Sequence, residues 1–305
     1  MGDLAVEVDP TPCSMTMSLK NLLDRVPLGR LRSRHPVVGV LRLNGVIAAP
    51  SGRRASGLSL AGLAAQIERV FKLPNLQAVA LLINSPGGSP VQSSLIHRRI
   101  RQLAAERSVP VLAFAEDVAA SGGYWLALAA DEIYAENTSI VGSIGVISAS
   151  FGFTDLMRRI GVERRVYTAG QNKGLLDPFL IEDPTEITRL KVLQLDIHDS
   201  FKELVRERRG SRLTGAEDGL FNGSIFTGRQ ALANGLIDGI GDVRSVIQER
   251  FGTDTKLRLI GERRSRWRLP LPFRSSAASS GLLIDMADEL IATIEQRALW
   301  GRFGL

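Results

Sequence analysis

The sequence predicts an α/β fold in which buried strands alternate with helices. Short apolar runs recur along the middle of the chain, and longer amphipathic or charged stretches separate them. With 305 residues, 44% of them hydrophobic, the chain is also long enough to bury a large core. From this pattern alone, a stack of ββα units and a doubly wound sheet both remain open.

Each predicted element has its own signal in the sequence. The continuous apolar run Val79–Ile83 is typical of a buried strand, and the long stretch Pro184–Arg209 is charged on one face, as in a surface helix. The predicted strands, in chain order, are Val37–Leu43, Ala78–Asn84, Val109–Ala115, Glu132–Ala135, Val141–Ile147 and Arg164–Thr168. The predicted helices are Leu58–Lys72, Pro90–Glu106, a helix opened by Ser121, Thr154–Ile160 and Pro184–Arg209. No internal sequence repeat is visible, so we expect a single copy of the folding unit.

A glycine-rich turn, Asn84–Ser89, joins one buried strand to the next helix. Its two glycines expose backbone N–H groups that the helix cannot satisfy, so these groups are available to an anionic oxygen. An oxyanion hole is built in this way. A phosphate-binding turn and a plain loop are the alternatives. Because no Gly-Lys-Ser/Thr follows the turn, the sequence argues against a P-loop.

Ser121 and Lys173 form the most informative pair in the chain. Ser121 precedes two glycines at a predicted strand-to-helix junction, which leaves room for a substrate backbone, and Lys173 lies in a second glycine-containing loop. An amine in an apolar setting can act as the base for a serine nucleophile. A serine in an ordinary glycine-rich turn and a lysine on the surface are the alternatives.

Taken together, these motifs resemble the SppA-type signal peptide peptidases, which are serine proteases with a Ser-Lys dyad on the ClpP/crotonase fold. The resemblance covers about residues 37 to 252. Its segments are Asn84–Gly88, Ser121–Tyr124, Val141–Val146, the Lys173 loop and Phe226–Ala231. It implies a ClpP/crotonase-like stack of ββα units and a dyad of nucleophile Ser121 and base Lys173. It further implies oxyanion N–H groups from Gly88 and Gly122, and Ser143 as a hydrogen-bond partner of the lysine.

The size and the Ser-to-Lys spacing resemble the short, single-repeat members of the family. In those members the lysine reaches the serine of an adjacent subunit in a ring, so a homo-oligomer is expected. The implied activity is cleavage of extended hydrophobic peptides, such as signal-peptide remnants, through an acyl-enzyme. No cofactor and no metal are predicted. A free lysine has a pKa of about 10.4, so a lysine base needs desolvation and an alkaline optimum is expected.

The residue inventory favours a dyad independently of the family. A Ser-His-Asp triad would have to use one of only three histidines, His35, His97 or His198, and all three are interpreted as surface residues. The chain has 32 arginines but only six lysines. Since arginine stays protonated and cannot act as a base, a lysine kept in a glycine-containing loop is suggestive.

The two ends of the chain differ in character from the middle. Residues 1–36 are interpreted as an extension, 37–252 as the peptidase domain and 253–305 as a basic linker followed by an amphipathic helix, Gly281–Trp300. The arginines between 263 and 274 are interleaved with Trp267 and Phe273, a mixture compatible with anionic lipid or nucleic acid. A solvated linker is the preferred interpretation. No nucleic-acid partner is predicted, and peripheral membrane contact through 263–300 stays open.

The cysteine content and the hydropathy of the sequence lead to an expectation about the cellular compartment of the protein. The only cysteine, Cys13, excludes an intramolecular disulfide, and no apolar run of about 18 residues or signal-peptide layout is found. A cytoplasmic protein, with the inner membrane face as an open alternative, is the expectation. Two rival functions also stay open: a crotonase-type acyl-CoA enzyme, which generally lacks a serine paired with a lysine, and a non-catalytic peptide-binding ring.

Overall fold

The computed structural model describes residues 35–49, 57–170, 172–261 and 297–304. The predictions for the N-terminal extension up to 34, for Cys13, for the arginines of 263–274 and for nearly all of the helix Gly281–Trp300 lie outside these residues. Residues 297–300, at the end of that helix, are helical.

A mostly parallel sheet organises the described chain. Its strands are β1 (Val37–Asn44), β2 (Leu76–Ser85), β3 (Val111–Ala120), β4 (Glu132–Ala135), β5 (Ile140–Gly142), β6 (Ile225–Thr227), β7 (Gly239–Ile240) and β8 (Lys256–Leu259). The strand order is β6-β5-β3-β2-β1-β8, and β4 pairs with both β3 and β7. Every pair is parallel except β5 with β6. This is the mixed α/β architecture that the alternation of strands and helices predicts.

Helices cover the two faces of the sheet unequally. They are α1 (Leu60–Phe71), α2 (Pro90–Arg107), α3 (Gly122–Ala127), α4 (Thr154–Ile160), α5 (Pro184–Arg209), α6 (Glu217–Leu220), α7 (Gly228–Ala233) and α8 (Val243–Phe251). The larger core lies between the sheet and α1, α2 and α3, and a smaller one lies under α8. None of the described helices is both long and apolar enough to cross a membrane.

Most predicted elements are confirmed, and the central strands among them coincide with buried apolar runs. β3 continues five residues beyond its predicted end at Ala115. The run Val79–Ile83 is almost entirely buried at the centre of β2, as a strand between two parallel neighbours requires. α2 begins after Ser89, whose hydroxyl accepts the N–H of Gln92, and has Pro90 in its first turn.

One predicted strand is too long and another is wrong. The strand predicted at Val141–Ile147 ends at Gly142, because Ser143 takes a φ of 52° and turns its N–H to the Ser224 carbonyl. Residues 164–168 form no strand, since the side chains around them are exposed and no neighbouring strand pairs with them in the described chain. The sheet also extends past residue 252, because β8 pairs with β1.

Candidate active site

Ser121 lies at the junction of β3 and α3 in a sparsely populated backbone conformation. Its φ is 53° and its ψ is −120°, and such a conformation costs a non-glycine residue about 1–3 kcal/mol. The Ser121 N–H donates to the Gly142 carbonyl at 2.8 Å, and the Ser121 carbonyl accepts the Trp125 N–H at 3.0 Å. Both neighbouring elements therefore hold the sharp turn that presents the serine.

The Gly87–Gly88 turn packs directly against Ser121. A Cβ on Gly87 would lie 2.8 Å from the Gly122 nitrogen and 2.8 Å from the Ser121 Cβ. A Cβ on Gly88 would lie 2.0 Å from the Ile47 carbonyl oxygen, and Gly88 has a φ of 136°. Only glycine fits this close approach, because any side chain would push the turn away from the serine.

Two N–H groups next to Ser121 are left without a backbone partner in the described chain. The Ile47 N–H donates to the Gly87 carbonyl at 2.8 Å, and the Ser89 N–H donates to the Ile47 carbonyl at 2.7 Å. This parallel bridge directs the N–H of Gly88 to the side away from Ile47. Gly122 is the first residue of α3, so its N–H has no acceptor within the helix.

Ser143 joins the same cluster through β5. It directly follows Gly142, whose carbonyl receives the Ser121 N–H, and it is 8% exposed. The structure therefore brings four of the five predicted site residues into one neighbourhood: Ser121, Gly122, Gly88 and Ser143.

Lys173 is the predicted site residue that stands apart. Its side chain is exposed, and no hydrogen bond links it to Ser121 among the described residues. Its loop is fastened to α5 instead: Asn172 accepts from Arg189, and the Leu176 N–H donates to the Glu186 carboxylate at 3.0 Å.

The helix α5 connects the Lys173 loop to the Ser121 neighbourhood. Arg189 holds the loop at one end, whereas Phe201 stacks on Trp125 of α3 with ring centroids 4.7 Å apart. These two residues are twelve positions apart in one helix, which corresponds to about 18 Å along its axis. The contact that holds the Lys173 loop and the contact that holds α3 are therefore well separated along α5.

We call residues 147–170 and 172–195 the arm. Its helix α4 has no buried residue, and in α5 the buried residues are Phe201, Val205 and Arg209, all beyond the arm. Large apolar side chains are exposed along it: Ile147, Phe151, Leu156, Ile160, Val162, Tyr167, Leu180, Ile181, Val192, Leu193 and Leu195. An apolar surface of this extent is typical of a protein–protein contact.

The interpretation of all three histidines as surface residues is wrong for His97. It is 8% exposed, and burial, together with the positive charge of Arg208, lowers its pKa to about 4. His198 is half-buried, with its Nε2 3.1 Å from the Ile144 carbonyl oxygen, and His35 is exposed. The sequence did carry a signal, because His97 shares the buried face of α2 with Ser93, Ile100 and Ala104.

Comparison with known proteins identifies the family. Residues 104–253 match Peptidase family S49. The chain is 31% identical over 216 residues to the chloroplastic serine protease SPPA of Arabidopsis thaliana, covering 69% of this chain and 31% of that protein. It is 30% identical over 176 residues to a putative signal peptide peptidase SppA of Enterococcus faecium, covering 58% of this chain and 51% of that protein. The chain belongs to peptidase family S49, which confirms the resemblance drawn from its motifs.

A further relative carries a different name. The chain is 47% identical over 296 residues to a protein of Brucella abortus (strain 2308) named Na(+)/H(+) antiporter NhaA, covering 96% of this chain and 40% of that protein. The larger part of the Brucella protein therefore has no counterpart in this chain. The region of this chain that aligns with the Brucella protein includes residues 104–253, which match Peptidase family S49.

Proposed function

We propose that the protein is a serine endopeptidase in which Ser121 is the nucleophile and Lys173 is the general base. The observation that carries the proposal is the sharp turn at Ser121, held against the Gly87–Gly88 turn at distances that only glycine allows. Membership of a peptidase family adds to it. The free N–H groups of Gly88 and Gly122 would form the oxyanion hole.

In the proposed reaction, the uncharged Nζ of Lys173 takes the proton of the Ser121 hydroxyl as Oγ bonds to the peptide carbonyl carbon. The carbonyl oxygen gains the negative charge and accepts hydrogen bonds from the two glycine N–H groups. The C–N bond then breaks, and the lysine returns its proton to the leaving amine. A water that gives a proton to the same lysine then attacks the acyl carbon. The bond to Ser121 Oγ breaks as the lysine returns that proton to Oγ, which releases the acid product and restores Ser121 and the uncharged lysine.

We propose that the lysine comes from a second copy of the chain. The separation along α5 argues against a dyad within one chain. A lysine base must also be uncharged at the working pH, which requires removal from water, whereas Lys173 is exposed in the single chain. A neighbouring copy that covers the apolar arm would supply this burial, and Ser143 would then hydrogen-bond the incoming amine.

The proposed substrates are extended apolar peptides, including remnants of signal peptides. The name of the Enterococcus relative, a putative signal peptide peptidase, supports this class. An endopeptidase of this kind binds its substrate as an extended strand, so that the backbone of the peptide supplies most of the polar contacts.

The test is hydrolysis of a fluorogenic apolar peptide between pH 6 and 10 by the wild type and by the variants Ser121→Ala and Lys173→Ala. Lys191→Ala is the matched control, because Lys191 is an exposed lysine of the same arm. We expect alkaline activity in the wild type and the control, and a loss of at least about 10³-fold in both site variants. Turnover that survives either site substitution would overturn the assignment.

A further inference from the structure

We propose that Asn84 and Asp117 form a clamp that positions Ser121, so that both are positioning residues of the reaction. This inference rests on the proposed function. Its starting point is an irregularity in the sheet, at the point where β2 and β3 approach the candidate active site.

The strand β3 bulges just before Ser121. Its register with β2 pairs Ile83 with Ala115 and then Ser85 with Ala119. Two steps along β2 therefore correspond to four steps along β3, and the additional residues lie between Ala115 and Ala119. A bulge interrupts the hydrogen-bond ladder and redirects the residues that follow it, and bulges are frequent next to active sites.

The Asn84 side chain bridges this gap on the β2 side. Its Oδ1 accepts the N–H of Val118, which lies in the bulge, at 3.2 Å. Its Nδ2 donates to the Asp117 carboxylate at 2.6 Å. Its backbone carbonyl accepts the N–H of Gly45, next to β1, at 2.9 Å. One residue thus ties together the ends of three strands.

Asp117 fixes which way the Asn84 amide points. A carboxylate only accepts hydrogen bonds at neutral pH, so it selects the orientation with Nδ2 towards Asp117 and Oδ1 towards Val118. In the reversed orientation two acceptors would face each other, and the Val118 N–H would meet a donor. The pair therefore specifies one position of the bulge.

A second contact secures the other side of the bulge. The neighbour of β3 changes from β4, paired as far as Ala115, to β5, paired from Val118. Between these pairings the Ser139 hydroxyl donates to the Glu116 carbonyl at 2.6 Å, and Ser139 is 3% exposed. Side chains therefore replace the missing ladder on both sides.

The bulge decides where Ser121 lies. Ser121 lies only four positions after Asp117, and a slip of one residue in a strand turns every following side chain to the other face of the sheet. A displacement of about 1 Å between reacting groups can cost on the order of 10²-fold in rate. The clamp thus acts on catalysis through the position of the serine, without contact with the substrate.

The test exchanges the donor and the acceptor of the clamp. Asn84→Asp keeps the acceptor for Val118 but places two carboxylates against each other. Asn84→Asp with Asp117→Asn restores a donor and an acceptor in exchanged positions. Asn44→Asp is the matched control, because Asn44 is the exposed register partner of Asn84 on β1 and gains the same charge.

For peptide hydrolysis at pH 8 we expect Asn84→Asp to lower kcat on the order of 10²-fold with little change in KM. The kcat of the double variant should recover to within about threefold of the wild-type kcat. The kcat of the Asn44→Asp control should also stay within about threefold of the wild-type value. The ratio of Asn84→Asp activity to wild-type activity should rise as the pH falls, because one shared proton relieves the repulsion of two carboxylates. A purely structural loss would give neither the rescue nor this pH dependence.

Hydrogen exchange separates a failure of the clamp from a failure of the proposed function. The amides of Val118, Ser121 and Gly122 should exchange faster in Asn84→Asp, and normally in the double variant and the control, whether or not the protein cleaves the peptide. Wild-type exchange and wild-type kcat in Asn84→Asp would overturn the clamp. An inactive wild type with the expected exchange pattern would overturn the proposed function and leave Asn84 as the residue that sets the position of Ser121.

Discussion

The neighbourhood of Ser121 and the arm that carries Lys173 are built in opposite ways. Around Ser121 the backbone is held by buried elements, and glycines fill spaces that admit no side chain. In the arm, the helix α4 has no buried residue, the polar contacts are local, and large apolar side chains face outward. The surroundings of Ser121 are therefore built by the single chain. In the proposed dyad, the surroundings of Lys173 depend on an exposed apolar surface that a second copy would cover.

Glycine substitutions should show this difference most strongly. In Gly88→Ala the new Cβ would meet the Ile47 carbonyl oxygen at 2.0 Å, at a φ of 136°. We expect activity to fall on the order of 10²-fold and the free energy of unfolding to fall by about 2–5 kcal/mol. Gly152→Ala in the arm, where a Cβ would meet nothing within 4 Å, should stay within about 0.5 kcal/mol of the wild type. Urea denaturation and peptide hydrolysis measure both effects, and equal behaviour of the two variants would contradict the comparison.

Ion pairs offer the next contrast. Arg209 and Asp238 pair with side chains that are 2% and 16% exposed. Burial alone would raise the pKa of Asp238, but the hydrogen bonds from Arg209 and from the Ile133 N–H outweigh it and lower that pKa. Arg209→Met would remove the buried partner and leave Asp238 only the more exposed Arg212, at 3.2 Å. We therefore expect a loss of up to about 3 kcal/mol in the free energy of unfolding.

The control for this prediction lies in the arm. Arg158 and Asp155 pair with side chains that are 77% and 78% exposed. Arg158→Ala should change the free energy of unfolding by less than about 0.5 kcal/mol. A loss in Arg158→Ala as large as that in Arg209→Met would mean that the arm is as firmly packed as the core.

Acidification should weaken the core through His97. Its pKa in the folded protein, about 4, lies below the ordinary value of 6.5. Between these values the unfolded chain binds a proton that the folded protein does not, so the free energy of unfolding falls as the pH falls. The slope should approach about 1.4 kcal/mol per pH unit. Denaturation of the wild type and of His97→Gln between pH 7 and 4.5 checks this, and equal slopes would contradict it.

A charge in the arm should have the smallest effect on folding. Leu193 is 54% exposed, so Leu193→Asp should leave the free energy of unfolding of the single chain within about 0.5 kcal/mol of the wild type. The same substitution should lower both the mass of the assembly and the peptide hydrolysis, because it places a charge in the proposed contact. Sedimentation at several concentrations measures the first effect. If the mass of the assembly were the same for Leu193→Asp and the wild type, the contact between copies would not involve this part of the arm.

The sequence predicted the structure well where a run of consecutive apolar residues is buried. The apolar run in β2 and the glycine-flanked serine at the end of β3 each have a local signal, so the strands and the group of Ser121, Gly88 and Gly122 could be predicted. The assignment to the SppA-type family rests on the order of several such motifs and is confirmed. The catalytic roles of these residues stay predictions.

Other features depend on contacts between distant parts of the chain and have no local signal. The bulge between Ala115 and Ala119 arises because β3 changes its neighbour from β4 to β5, and nothing in the apolar run from Val109 announces that change. The strand predicted at 164–168 fails because no strand of the described chain lies beside it to pair with. The periodicity of a sequence indicates which side chains are to be buried, but it does not indicate which element packs against them.

The most direct test of the account mixes two inactive proteins. Ser121→Ala keeps Lys173, and Lys173→Ala keeps Ser121, so neither should hydrolyse the peptide alone. If the lysine acts across an interface, subunits exchanged between the two variants should regain activity, up to about a quarter of the wild-type level for random pairing in equal amounts. A mass-labelled sample confirms that exchange has taken place. No recovery after confirmed exchange would contradict the claim that two copies of the chain build each site.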